Sequence, residues 1–496
     1  MRPLHRAKTR ASGKRLLARC ALGGLLLITH DLPADSGPDA ARLWQRLTAL
    51  DVDAAHALLR DDHPAAVPAV SDSGFIDALQ DGYARALERA AQVSSFEGYV
   101  ATLGEFARRM GDGHIWFNPR FVPKDVRWAG IVAARQGPGW IVAVDDPTIT
   151  GVELQGARIA ECDGRKSDAL ARDVLHYLTN VDVPAMLSIY GGWLLIDQGN
   201  PFMSRPKSCT FERNGQQVVV DLNWKRIARS ELLEHHWHRA YGAAGFGVRP
   251  SGAGYWLALQ ELTPRAQAVI DAVAREAAQI RAAQYVVVDV RGNGGGDDHY
   301  ARLLAEQLYG QAYVSAVLGP ENSAAGGCDE VYRASAGNLD SLLADAGRLR
   351  DDPAAASGYH KAAEAIRAAL AKGQAMAGDL SCRARAPPAG KRPAPLEHNP
   401  VFILTDAACF SSCLQAVQFF RRLGAQQIGQ ETGADTHYAE VREIVLPSGL
   451  GTFSTLRAIM PDYPPAIGPF SPVLGYEGDI ADTAALERWT SGLTQR

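Results

Sequence analysis

The sequence predicts an α/β protein whose main body is a parallel sheet, preceded by a helical segment and a small β-rich module. Three observations predict it. From Gly254 onward, strand-like and helix-like stretches alternate, the pattern of parallel βαβ units joined by right-handed crossovers. Tyr285 to Val290 is a continuous apolar run, as expected of a strand buried on both faces. The first part of the chain has other textures: helical spacing of apolar residues from Pro38 to about Met110, then short β-rich runs from Arg127. At 496 residues the chain is too long for one ordinary core, so several domains are expected.

Residues 1–35 read as an export signal or basic leader. Arg2, Arg6, Lys8, Arg10, Lys14, Arg15 and Arg19 precede the apolar run Ala21 to Ile28 with no acidic residue among them. That run is too short to span a bilayer stably, since spanning takes about 20 apolar residues, so a signal removed on export to the periplasm or medium is expected. The arginine before Cys20 spoils a lipoprotein signal. Residues 36–118 read as helical hairpins, with Leu43, Leu47, Leu50, Leu58 and Leu59 on helical spacing. Residues 119–228 read as the β-rich module, with runs at 128–133, 140–144, 157–161, 208–213 and 217–224, the last two flanking an Asn214-Gly215 turn. A helix near 167–178 and a partly aromatic loop with Tyr190, Trp193 and Phe202 lie between them. Residues 229–496 form the α/β body, interrupted at about 318–399 by an insertion of two Ala-rich helices, two cysteines and a proline-rich tail.

The net charge of −4 conceals an uneven distribution. Without residues 1–28, 44 basic residues face 55 acidic ones, a net charge of −11. Such a body has no electrostatic reason to seek nucleic acid. Removing Cys20 leaves six cysteines, an even set that suits an oxidising compartment. Proximity pairs Cys162 with Cys209, Cys328 with Cys382, and Cys409 with Cys413, one choice among about fifteen. No C-x-x-C occurs, which weakens zinc and dithiol redox readings.

Ligands of open α/β sheets bind beyond the carboxyl ends of strands, and two strand-to-helix turns there hold the candidates. The first is Arg291 to Gly296, where successive glycines can present N–H groups to an anion. It fits an oxyanion hole; a phosphate cradle is disfavoured because no Lys-Ser/Thr follows. The second is Thr405 to Cys413. A serine at a helix start after a buried strand can act as a nucleophile, although either Ser411 or Ser412 would serve equally as an ordinary helix cap.

These runs resemble the C-terminal-processing (tail-specific) and tricorn-core serine peptidases. "VVVDVRGNGGG" from Val286 looks like that family's strand and glycine turn, "VFILTDAACFSSC" from Val401 like its nucleophile segment, and "IGQETG" from Ile428 like the strand that follows. Asp112-Gly113-His114 is similar to an element ahead of the core in many members. The resemblance implies a crotonase-like (ClpP-like) β/α core, a PDZ-like module at 119–228 that takes a peptide end by strand addition, and a helical N-terminal domain. It implies a serine peptidase acting on peptides or proteins, with Ser411 as nucleophile, an oxyanion hole from Ser412 and Gly294 or Gly295, and no metal or organic cofactor. The chain departs from the pattern twice. The position of the processing branch's lysine base falls on Asp435, and the acidic residue three after the nucleophile is Leu414.

The base then comes from elsewhere, and a histidine, whose pKa lies near the working pH, is the usual choice. His114 matches the tricorn-type element, and His437 is the alternative. Asp112, Asp435, Glu477 and Asp479 are candidates for the acid that orients it. A catalytically inactive peptide-binding protein that keeps the fold is the rival reading, motivated by the absent lysine. Glu234 to His238 is read as a solvated helix in preference to a metal cluster, because adjacent helical histidines point to different faces. Cys409 and Cys413 are read as a disulfide bracing the turn in preference to a nucleophile. The oligomeric state is left open.

Overall fold

The computed structural model describes residues 37–234, 244–319, 328–350, 353–383 and 393–493. The leader, His235 to His238 and the first half of the proline-rich stretch lie outside the described residues. Among the described helices none is long and apolar enough to cross a membrane.

The main sheet has six strands in the order Phe246–Ser251, Gly254–Leu259, Val286–Asp289, Val401–Thr405, Gln426–Gly429 and Leu474–Gly475. The first pair is antiparallel and the rest are parallel. Every residue of Val286–Asp289 and Val401–Thr405 is buried, so the apolar run in the sequence is the doubly covered central strand. Helices Ala266–Arg275, His299–Tyr309 and Ser412–Arg422 supply the core on one face, and the C-terminal helix Thr483–Leu493 packs on the other. Both chemical turns therefore leave adjacent central strands at the same end.

The helical segment differs from the expectation of a separate N-terminal domain. Its helices Pro38–Asp62, Ser73–Ala90 and Phe96–Arg108 share one core with the long hairpin Tyr438–Val445 and Gly451–Ile459. Buried polar groups fix that contact: Asp51 accepts from the Tyr99 hydroxyl at 2.7 Å and from Ser448 N at 2.9 Å. Asp62 pairs with Arg442 at 2.5 Å, and Asn338 bonds both the Asp62 carbonyl and Arg442. The hairpin's second strand also pairs with Phe117–Pro119 and Val331–Arg333, and Val331–Arg333 with Met376–Ala377. The insertion thus contributes two strands to a shared sheet, while its helices Ala336–Arg348 and Pro353–Ala371 pack together outside it.

The β-rich module is a sheet of Ile131–Gln136, Gly139–Asp145, Arg158–Cys162, Ser208–Arg213 and Gln216–Asp221, with the short Arg165–Lys166 beside Arg158–Cys162. The helix Ser167–Leu175 lies against it. All three expected disulfides are present: Cys162–Cys209, Cys328–Cys382 and Cys409–Cys413. The sequence gives no warning of what the aromatic loop does. Gly191–Leu195 is a buried 3-10 turn lying against Ile131–Gln136, and Ile196–Asp197 pairs antiparallel with Arg127–Trp128. Lys225–Ala228 takes the opposite edge of Asp125–Trp128. That small three-stranded sheet is thus completed by the chain itself, and the edge strands of the module's own sheet are Ile131–Gln136 and Gln216–Asp221.

Leu195 is fully buried in this contact. Leu195→Ala should cost about 2–5 kcal/mol, a removed side chain plus a cavity, read as a fall in the unfolding midpoint with retained far-ultraviolet dichroism. A midpoint unchanged from wild type would show that the segment is not packed into the module.

Candidate active site

The strand Val401–Thr405 ends in the loop Asp406 to Phe410, and the helix Ser412–Arg422 begins directly after Ser411. Ser411 has φ 55° and ψ −131°, a region that a residue with a Cβ adopts only when its surroundings enforce it. Its side chain makes no cap to the helix, so the ordinary capping role does not apply. Instead Ser411 Oγ lies 3.0 Å from His114 Nε2. Ser412 turns its hydroxyl the other way and donates to the Gly296 carbonyl at 2.7 Å.

Several contacts enforce the turn. The Cys409–Cys413 disulfide brackets it, with both cysteines fully buried. Phe410 N donates to the Asn293 carbonyl at 3.2 Å, and Gly433 N to the Cys409 carbonyl at 2.9 Å. The glycine bend packs directly against it: a Cβ on Gly295, at φ 104°, would sit 2.8 Å from Ser411 Cβ and 2.9 Å from Ser412 N. Only glycine fits there. The N–H of Gly295 is engaged by Asn293 Oδ1 at 2.9 Å. The other glycine expected as a donor, Gly294, has open space where a Cβ would stand, and its N–H is engaged by no acceptor among the bonds given above.

Asp406 lies within the nucleophile segment, and its role emerges only from the fold. Both of its oxygens accept from Gly292 N at 3.1 Å, and Oδ1 also accepts from Ala408 N at 3.1 Å. One buried carboxylate thus clamps the glycine bend to the Ser411 loop. Burial pushes its pKa up to about 6, against the lowering effect of those N–H donors. Asn293 does related work: its side-chain amide donates to the Leu259 carbonyl at 2.7 Å while its oxygen holds Gly295. Asp289 and Arg291 form a fully buried pair at 2.7 Å beneath the bend, completed by Trp256 Nε1 and Thr483 Oγ1.

His114 arrives from the loop between Phe96–Arg108 and Phe117–Pro119. Gly113 is needed because a Cβ there would lie 2.5 Å from the Phe410 ring, which also packs against the imidazole with centroids 4.7 Å apart. The buried Ser454 hydroxyl donates to the His114 carbonyl and accepts from Trp116 N, each at 2.7 Å, anchoring this loop to the hairpin. His114 Nδ1 faces two carboxylates, Asp435 Oδ1 at 3.2 Å and Asp112 Oδ1 at 3.5 Å. Neither carboxylate is well aligned with Nδ1, yet both lie close enough to raise its proton affinity. Asp112 is itself held by His114 N at 2.7 Å and by the Thr436 hydroxyl at 2.5 Å.

Burial opposes the imidazolium, yet the two carboxylates outweigh it and push the His114 pKa up to about 10. Burial likewise raises the Asp435 carboxyl, while Asp112, also opposed by burial, is drawn below the usual range by His114 and Thr436. These three side chains offer donor atoms within 4.8 Å of one another. The imidazole nitrogen already neutralises the space between the carboxylates, so the cluster does not need a cation to account for it.

The other expected site residues are elsewhere. His437 packs edge-on against Tyr438 and faces the Tyr463 backbone; burial lowers its pKa. Glu477 meets Gln136 through its carbonyl, and Asp479 accepts from Ala481 N at the start of the last helix. Leu414 is core.

A serine on a forced turn, an imidazole in hydrogen-bond reach and N–H donors beside both define a serine-type peptidase on an α/β fold. Residues 256–463 match the profile of peptidase family S41, which supports reading this chain as an S41-type serine peptidase. Mature CPAF is similar over 91% of this chain and 98% of that one, with 11% identity and a TM-score of 0.60. Mature CPAF complexed with lactacystin matches with 11% identity, the same 91% of this chain, 99% of that one and a TM-score of 0.58. The photosystem II D1 C-terminal processing protease has 12% identity over 89% of this chain and 96% of that one, with a TM-score of 0.35. At these identities the likeness to the two CPAF structures is one of fold. No curated protein matches the chain by sequence.

In a proton NMR titration His114 should lose its proton near 10, far above the ordinary imidazole value of about 6.5. Because the folded value is raised, the stability this group supplies is full below about 6.5 and is lost as pH rises through the folded value. Asp435→Asn should lower the midpoint by at least about one unit. A wild-type midpoint at or below the ordinary value would contradict the charge arrangement.

Proposed function

We propose that this peptidase hydrolyses peptide bonds by an Asp–His–Ser relay on Ser411. The observation that carries the reading is the 3.0 Å approach of His114 Nε2 to the hydroxyl of a serine held at positive φ. In the mechanism, neutral His114 takes the proton from Ser411 Oγ as the oxygen attacks the peptide carbonyl. Asp435 and Asp112 hold the ring's orientation and stabilise the imidazolium that forms. The amides of Gly294 and Ser412 receive the oxyanion. His114 then protonates the departing amine, and water, activated by the same imidazole, releases the acyl group from Ser411. No lysine is needed, because position 435 supplies a carboxylate that supports a histidine base.

In the same reading, the six-stranded sheet with its helices is the family's crotonase-like core, and residues 119–228 are its PDZ-like module. The three disulfides and the basic, then apolar, leader support export to the periplasm or the medium.

A fluorophosphonate probe should label the wild type and not Ser411→Ala; equal labelling of both would remove Ser411 as the nucleophile. His114→Ala should slow labelling by about 10³-fold or more, whereas His437→Ala should change it by less than about threefold. Lactacystin, the ligand of the second CPAF structure, should compete with the probe.

Asp406→Asn puts an amide where N–H donors converge, so it should slow labelling about 10- to 100-fold. The folded state should remain intact by circular dichroism. An unchanged rate would mean that the clamp between the two turns does not set the oxyanion geometry.

A further inference from the structure

A second cavity, of about 330 Å³, lies between the helix Phe96–Arg108 and the β-rich module. None of Asp112, His114 or Ser411 lines it. Its walls are largely aromatic, with Phe96, Phe117, Phe121, Tyr177, Tyr190 and Trp193 on different sides. Such a shape suits a small apolar body.

One polar group on the wall is unusual. Arg229 lies over the Trp193 ring, its guanidinium carbon 4.6 Å from the centroid, and donates Nη1 to Gln198 Oε1 at 2.6 Å. No carboxylate stands within ion-pair range of it among the described residues. Burial alone acts on its pKa, lowering it, with no neighbouring charge to offset the effect. The nearby rim carboxylate Asp197 is already committed to Arg205 at 3.1 Å and to Gly199 N at 2.7 Å. Arg108 adds a second cation to the lining, and Glu97 the remaining acid.

A partly buried guanidinium without a counter-ion is costly, and its planar fork matches a carboxylate in two parallel hydrogen bonds. We infer that this cavity binds an apolar carboxylic acid, with the carboxylate on Arg229 and the apolar body against Trp193 and the facing phenylalanines. A free aliphatic acid and the C-terminus of a peptide ending in a large apolar residue carry the same chemistry. The site is placed to matter: two of its walls, Phe96–Arg108 and the stretch from Phe117 to Pro123, flank the loop that carries His114.

Calorimetric titration of the full chain tests this with decanoate, and with a short peptide ending in phenylalanine as the free acid and as the amide. The wild type should bind decanoate or the peptide acid, and any peptide acid that binds should do so at least about tenfold more tightly than its amide. Which acid binds identifies the source, a free acid or a peptide terminus. Arg229→Gln should abolish decanoate binding and the acid preference, while Arg229→Lys, which keeps the charge, should retain part of each. Thermal unfolding of both variants checks that they are folded. Binding of neither acid, equal affinity for peptide acid and amide without decanoate binding, or an acid preference surviving intact in Arg229→Gln would overturn the assignment.

Discussion

The close backbone approach of the glycine bend to the Ser411 turn is the constraint on which the rest of the site depends. Gly295 leaves no room for a side chain against Ser411 and Ser412, and the two turns meet because Val286–Asp289 and Val401–Thr405 are adjacent parallel strands in register. A parallel pair sends both chains out at the same end, where strand ends leave space for a ligand. Asp406 then converts adjacency into a fixed distance, since one carboxylate accepts N–H groups from both loops. The glycine bend and the Ser411 turn are therefore tied together by one carboxylate.

The base is mounted differently. His114 belongs to the helical segment, and its position relative to Ser411 depends on the shared core between those helices and the Tyr438–Ile459 hairpin. Ser454 fastens the loop to that hairpin, and Asp435, at the head of the same hairpin segment, supplies the carboxylate 3.2 Å from Nδ1. The residue that replaces an expected lysine thus sits on the element that also anchors the histidine. Two acids flanking one buried imidazole favour its charged form, against the effect of burial. In the proposed mechanism, proton acceptance from Ser411 falls to the neutral fraction, which grows as pH rises.

What the sequence made legible was local. A glycine turn after an apolar run, a serine before an amphipathic helix and an Asp-Gly-His triplet each announce themselves within a dozen residues. The alternation from Gly254 onward likewise announces a parallel sheet, and the six cysteines pair within their own segments. Long-range partnerships left no comparable trace. Nothing near Asp435 marks it as the neighbour of a histidine more than 300 positions earlier, and Asp406 reads as an ordinary loop acid until its two N–H donors are seen. The helical segment looked self-contained because helical periodicity reports which face is apolar and is silent about what covers it. The loop around Trp193 was opaque for the same reason: its residues are buried by pairing with strands some 60 positions upstream.

The unfavourable backbone of Ser411 is the clearest sign of how the fold and the chemistry are coupled. A serine free to relax would turn its hydroxyl onto the helix N-terminus, satisfying the N–H donors there and removing the oxygen from His114. That escape is blocked from every direction: the disulfide on either side, Gly433 and Asn293 holding the preceding carbonyl and amide, Gly295 beneath, and the Phe410 ring wedged between Gly113 and the imidazole. Strain of this kind persists only where the surroundings over-determine it. Because Phe410 touches both Gly113 and His114, the same packing that prevents the serine from capping its helix also sets the depth of the base. Nucleophile and base are therefore coupled through an apolar contact that takes no part in the proton transfer.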